Sequence, residues 1–203
     1  MTPGGHFGCR ITLDPDKTLE TFDFLFNPKI HEPAIRELAR GHFIEKKQCV
    51  FLLGPSGVGK SHLAQALGHE ACRRGYDVLF QRTSSLLQWI TSGVGDGTRE
   101  RRLQYAMRIP LLVLDDFGLK ALSDPMQEDL YEIICGRYEK SPTIITSNRD
   151  FNEWPGIFSN SLMASAAMDR LVHHAVKIVV EGKSYRLNNF VETTKGLTLG
   201  KEM

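Results

Sequence analysis

Gly54-Pro55-Ser56-Gly57-Val58-Gly59-Lys60-Ser61 places three glycines, one lysine and two hydroxyls within eight residues, directly after the apolar run Val50 to Leu53. Glycines at these spacings let the backbone curl so that successive N–H groups point inward, and the start of a following helix adds its positive dipole end. Together they suit a polyphosphate. Lys60 is placed to reach β- and γ-phosphates, and the Ser61 hydroxyl to ligate Mg²⁺; His62 follows in the first helical turn. The alternative is a glycine-rich turn that binds nothing, and a chance match in a chain of this length is roughly a one-in-a-hundred event.

Two further segments end apolar runs with polar groups. Leu111-Leu112-Val113-Leu114 is followed by Asp115-Asp116: the first acid suits a magnesium water shell, the second the polarisation of an attacking water. Acids after a strand also serve as plain loop or helix-cap residues, and the phosphate-loop pattern upstream is what favours the chemical reading. Ile144-Ile145-Thr146-Ser147 runs into Asn148-Arg149. If this strand lies between the first and third, the Asn148 amide faces the γ-phosphate and orients water.

The elements that must hold these groups follow from hydrophobic pattern. Apolar runs at 50–53, 78–80, 111–114, 143–146 and 176–180 read as strands buried on both faces. Leu63, Ala64, Leu67 and Ala71 lie at helical spacing before Gly75, and a second helix is expected from an Asp124 cap with Pro125 in its first position. Alternating strands and helices predict an α/β fold around a largely parallel sheet. Composition bounds the rest: 203 residues, 41% hydrophobic, 24% charged, net charge +1, which is one ordinary domain with no global basic field. Four scattered cysteines without a C-x-x-C pair read as reduced thiols, and no run spans a membrane or directs secretion, so the expected location is cytoplasmic. Adjacent His173-His174, with no ligand-spaced partners, read as a helix end rather than a metal site.

One local basic stretch stands out after the glycine-rich connection Ser92 to Gly97, which reads as a flexible hinge. Arg99, Arg101, Arg102 and Arg108 oppose a single Glu100, a pattern suited either to a solvated helix face or to salt-sensitive phosphate contacts with DNA.

Taken together, GPSGVGKS, LLVLDDFG, TIITSNRDFNEW, the FDF of residues 22–24 and DRLVHH from Asp169 resemble the IstB/DnaC-like group of AAA+ ATPases. The resemblance runs from about Thr18 to Leu187. It implies a P-loop NTPase with a five-stranded, mainly parallel sheet between helices and a small or missing lid. Residues 18–190 would form that domain, between a disordered tail at 1–17 and a flexible one at 191–203. The implied activity is ATP hydrolysis with Mg²⁺, coupled to assembly on DNA as the helper of an insertion-sequence transposase, with loading of a replicative helicase as the alternative. By matching position, Arg170 resembles the arginine inserted into a neighbour's nucleotide site, which makes the active unit a homo-oligomer. Arg186 resembles a second nucleotide sensor, and Phe22, Phe24 and the backbone at Asn27-Pro28 the segment near adenine. Asp116 departs from the glutamate usual in AAA+ proteins, which keeps open an ATP-gated binding module with little hydrolysis. A small-molecule kinase sharing the phosphate loop is the third reading, opposed by the Asp-Asp pair and by Asn148 at a strand end.

Overall fold

The computed structural model describes residues 13–188. Helices α1 (Glu32–Ala39) and α2 (His42–Glu45) lead into β1 (Val50–Leu53), then α3 (Lys60–Arg73), β2 (Val78–Arg82), α4 (Thr83–Ser92), α5 (Arg99–Arg108), β3 (Leu111–Asp115), α6 (Asp124–Arg137) and β4 (Thr143–Ser147). A 3₁₀ helix (Phe151–Ile157), α7 (Ser161–Val172) and β5 (Val176–Val179) complete the series. The sheet order is β2-β3-β4-β1-β5 and every pairing is parallel, so the mainly parallel sheet expected from sequence is wholly so. β4 does lie between β1 and β3.

Strand residues alternate between two cores, as the period of two requires. Phe51, Leu53, Leu112, Leu114 and Ile145 pack with α4, α5, α6 and α7; Val50, Leu52, Leu111, Val113 and Ile144 pack with α1, α2 and α3. The β3 and β4 side chains are buried throughout. β5 differs: its side chains alternate between half-buried and exposed, with Lys177 among the exposed ones, because it forms a sheet edge. The run at 176–180 is therefore not the doubly buried strand that its composition predicts.

Other expectations are corrected by packing. Residues 13–17, assigned from sequence to a disordered tail, belong to the body: Leu13 is buried against Gly68, and the Asp14 N–H donates to Gln65 Oε1 (2.8 Å). The remainder of that tail, and the one from 191, lie outside the described residues; a helical turn begins at Tyr185. At α6 the cap is Ser123, not Asp124, and Pro125 takes the second helical position. The 92–97 connection is not a loose hinge: Thr98 and Arg99 N–H groups both donate to the Gly93 carbonyl, where a Cβ would stand 2.7 Å from Arg99 N. Cys49 and Cys135 are free thiols, whereas Cys72 is disulfide-bonded, contrary to the reduced state expected of it. Among the described residues no helix is long and apolar enough to cross a membrane.

Trp154 fixes the far side of the β4 exit. It is fully buried and packs against Phe51, Phe117 and Phe151, with centroids 4.6–5.2 Å away. Asp150 caps the 3₁₀ helix, and its own N–H donates to Glu153 Oε1 (2.9 Å). The Phe-Asn-Glu-Trp stretch thus anchors the chain just past Asn148 and Arg149.

Candidate functional site

A cleft of about 730 Å³ opens at the carboxy ends of β1, β3 and β4, where helix starts and strand ends converge in a parallel sheet. Its floor is the stretch Ser56 to Ser61, while Gly54 and Pro55, also expected to bind, lie outside the lining. Gly54 has φ of +150°, and a Cβ there would sit 2.1 Å from the Val180 carbonyl oxygen; Gly59, at φ of +106°, is the α3 N-cap and lies against Phe22. Only glycine permits both the conformation and the approach. The first N–H groups of α3 have no intrahelical acceptor and border the cleft.

Lys60 is 6% exposed, and its Nζ donates to Pro55 O (2.7 Å) and Asn148 Oδ1 (2.5 Å). Burial lowers its pKa to about 8; the Asp116 and Asp115 carboxylates oppose that shift and Arg186 reinforces it. An ammonium so poorly solvated is primed for an anionic ligand. Asp115 Oδ1 accepts from Ser61 Oγ (2.7 Å) and from Thr146 Oγ1 (2.5 Å). The two groups expected to hold Mg²⁺ therefore face each other, and a hydroxyl plus a carboxylate oxygen is the hard donor set that Mg²⁺ takes when phosphates and water complete its shell.

Asp116 stands at φ of +55°, a left-handed turn that swings it away from the β3 line. Its pKa is raised, first by burial and then by Asp115, with Arg82, Lys60 and Arg186 pulling the other way. Arg82 Nε is 3.8 Å from Asp116 Oδ2. Thr146, overlooked in the sequence, sets both acids: fully buried, it donates to Asp115 and accepts from the Asp116 N–H (3.1 Å). Only the β3–β4 register could have revealed it, because one residue beyond the Leu114–Ile145 pair puts Thr146 beside Asp115.

The remaining expected residues divide. Ser56, Gly57, Val58, His62, Phe22 and Arg186 line the same cleft. His62 Nε2 also lies 2.9 Å from the Thr18 carbonyl, tying the amino-terminal segment to α3. Phe24 is outside the lining, packed edge-on against Phe22 at 4.7 Å and under Arg36. Phe26, Asn27, Arg82 and Tyr185 line the cleft without having been singled out as side chains.

Arg170 is elsewhere. It lies in the last turn of α7, shortly before β5 begins, so in a parallel sheet it belongs to the amino ends of the strands, opposite the phosphate loop. It donates to Ala166 O (2.7 Å) and borders a separate hollow with Lys46, Lys47, Tyr138 and His173. On α5 the arginines split: Arg99 pairs with fully buried Asp129 (2.5 Å), and Arg102 binds Asp96 (3.0 Å) and covers the Trp89 ring, whereas Arg101 and Arg108 are exposed.

Residues 9–193 match the family described as IstB-like ATP binding protein. The chain is 39% identical over 171 residues to the protein named for ATP binding in insertion sequence IS5376 of Geobacillus stearothermophilus, covering 84% of this chain and 68% of that one. Among solved structures, it resembles the replication initiator DnaA bound to AMPPCP and single-stranded DNA, with a TM-score of 0.66, 26% identity, and coverage of 93% of this chain and 57% of that one. It also resembles the DnaC helicase loader, with a TM-score of 0.60, 25% identity, and coverage of 73% and 87% respectively. The chain thus spans about two thirds of the insertion-sequence relative and just over half of the initiator.

Proposed function

The chain belongs to the IstB-like ATP-binding family of insertion sequences, with an AAA+ fold related to helicase loaders, and from that premise we propose that it is a Mg²⁺-dependent ATPase that assembles on DNA to assist a transposase. The observation that carries this reading is the meeting of Lys60, Ser61, Asp115, Asp116 and Asn148 in one cleft, with Arg170 at the opposite end of the strands.

In this mechanism the loop amides and Lys60 take the β- and γ-phosphates, and Lys60 exchanges its present Asn148 and Pro55 acceptors for phosphate oxygens. Ser61 and Asp115 would hold Mg²⁺, which would supply charge neutralisation for the transferred phosphoryl group. Asn148, freed from Lys60, orients a water whose oxygen bonds to the γ-phosphorus as the bond to the bridging oxygen breaks and ADP leaves, and Asp116 accepts the water's proton; burial raises the pKa of that carboxylate and so its basicity. Arg170 cannot serve its own cleft and acts on the nucleotide of the next copy, which makes the assembly head to tail. DNA contact falls to the exposed Arg101 and Arg108.

ATP turnover measured with and without DNA, at several protein concentrations, tests this. DNA and rising concentration should stimulate hydrolysis, Lys60→Ala should abolish it, and Arg170→Ala should lower it by about 10³-fold or more. Restored turnover on mixing Lys60→Ala with Arg170→Ala protein is expected only if the arginine works in trans. Likeness to the DnaC loader supports a second reading, delivery of a replicative helicase; stimulation by a helicase and not by a transposase would favour it. Tight ATP binding with phosphate release at buffer background would instead favour an ATP-gated module.

A further inference from the structure

We propose that Asn27 is a positioning residue that fixes Arg186 over the phosphate loop, so that discrimination between ATP and ADP depends on a side chain that hydrogen-bonds only to backbone in this structure. This rests on the reading of the cleft as a nucleotide site.

Asn27 is 4% exposed, and each of its amide functions is matched to main chain. Its Oδ1 accepts from Lys183 N (2.9 Å), while Nδ2 donates to Lys183 O (3.2 Å) and lies 3.5 Å from Val58 O. One side chain thus joins the phosphate loop to a segment that lies 156 residues after Asn27 itself. Two glycines make the approach possible: a Cβ on Gly182, at φ of +145°, would stand 2.2 Å from Asn27 Oδ1, and one on Gly57 would stand 2.1 Å from Ser184 Oγ. The Tyr185 N–H then donates to Gly57 O (3.0 Å). Arg186 follows one residue on, borders the cleft, and depresses the pKa values of Lys60 and Asp116 by its charge.

The chemistry requires an amide. A carboxylate at position 27 keeps the acceptor for Lys183 N but faces two carbonyl oxygens with no proton to offer. Three successive backbone contacts therefore set where Arg186 stands, and a γ-phosphate, present in ATP and absent from ADP, is the group its guanidinium would distinguish. A clip that merely stabilised the fold would weaken both nucleotides alike.

Equilibrium titrations of the full chain with fluorescent ATP and ADP analogues, in Mg²⁺, separate these cases. Arg186→Ala is expected to cut the ATP-over-ADP preference by about tenfold. Asn27→Ala, Asn27→Asp and Gly182→Ala should each cut it by about threefold or more, and Asn27→Ala should change it by less than about twofold in an Arg186→Ala background. Three independent variants guard against one that fails to fold. Equal loss for ATP and ADP, full additivity in the double variant, or an unchanged preference in Arg186→Ala would each overturn the proposal. If the unsubstituted protein binds neither nucleotide, the reading of the cleft itself falls. If binding needs Lys60 while the Asn27 variants keep the normal preference, only the positioning role falls.

Discussion

The cleft at the carboxy ends of β1, β3 and β4 and the arginine-bearing helix α5 are both rich in polar groups, yet they are organised by different physics. In the cleft, Lys60, Asp115 and Thr146 are nearly or wholly buried, and each is held by a partner from another element. Their positions are set by contacts within the protein. On α5, four arginines of one helix separate by helical phase: Arg99 and Arg102 turn inward to Asp129 and to Asp96 and Trp89, while Arg101 and Arg108, seven residues apart, share the solvent face. A buried polar group declares its role through its partners; a surface charge declares it only through what the helix leaves uncovered.

The sharpest way to break this contrast is at Asp116. Replacing it with asparagine should lower turnover by about 10²-fold or more while ATP still binds. The raised pKa means that the folded chain disfavours the ionised form; that penalty is full above the folded pKa and fades as pH falls from there to the ordinary carboxylate value, so the Asp116→Asn protein should melt higher at neutral pH and lose that advantage in acid. Single-turnover phosphate release and calorimetry check the two halves.

Next in size is Arg99→Ala, which leaves the Asp129 carboxylate, 0% exposed, without its cation and should cost about 3 kcal/mol by denaturant unfolding. Arg101→Ala and Arg108→Ala should leave stability within about 0.5 kcal/mol. Each should instead flatten the salt dependence of DNA binding by about one unit of slope. If Arg99→Ala reduced the slope with an unchanged unfolding midpoint, the division of α5 into structural and free arginines would fail.

The smallest effect is in protons. A Lys60 pKa lowered to about 8 and raised again by bound phosphate means that ATP binding takes up a proton above that pH, so affinity should decline from about pH 8 upward. Without nucleotide, the same shift makes the protein gain stability as pH rises from about 8 toward the ordinary lysine value of 10.5. Titration calorimetry at pH 8.5 in two buffers of different ionisation enthalpy would detect the uptake. DNA affinity carried by guanidinium groups should stay flat over the same range, because arginine does not titrate there.

Much of the cleft was legible in sequence because its constraints are local. A phosphate loop needs its glycines, lysine and serine within eight residues, and doubly buried parallel strands need unbroken apolar runs. Where those conditions relax, the reading weakened. β5 carries an apolar composition on an exposed edge, and Leu13 to Lys17 show no periodicity yet pack onto α3. Phe22 and Phe24 look equivalent as alternating aromatics, but only the first borders the cleft.

The sequence alone determined the α/β class, the phosphate loop, the paired acids and the family, since each depends on neighbours a few residues apart or on a short periodic pattern. Tertiary structure alone decided that Thr146 aligns both acids, that Asn27 reaches Lys183, that Arg170 stands at the far end of the strands, and which arginines of α5 meet solvent. Those relations join residues 30 to more than 150 positions apart, or depend on which side of a helix is covered, and both are fixed by strand register and packing, which no local spacing encodes.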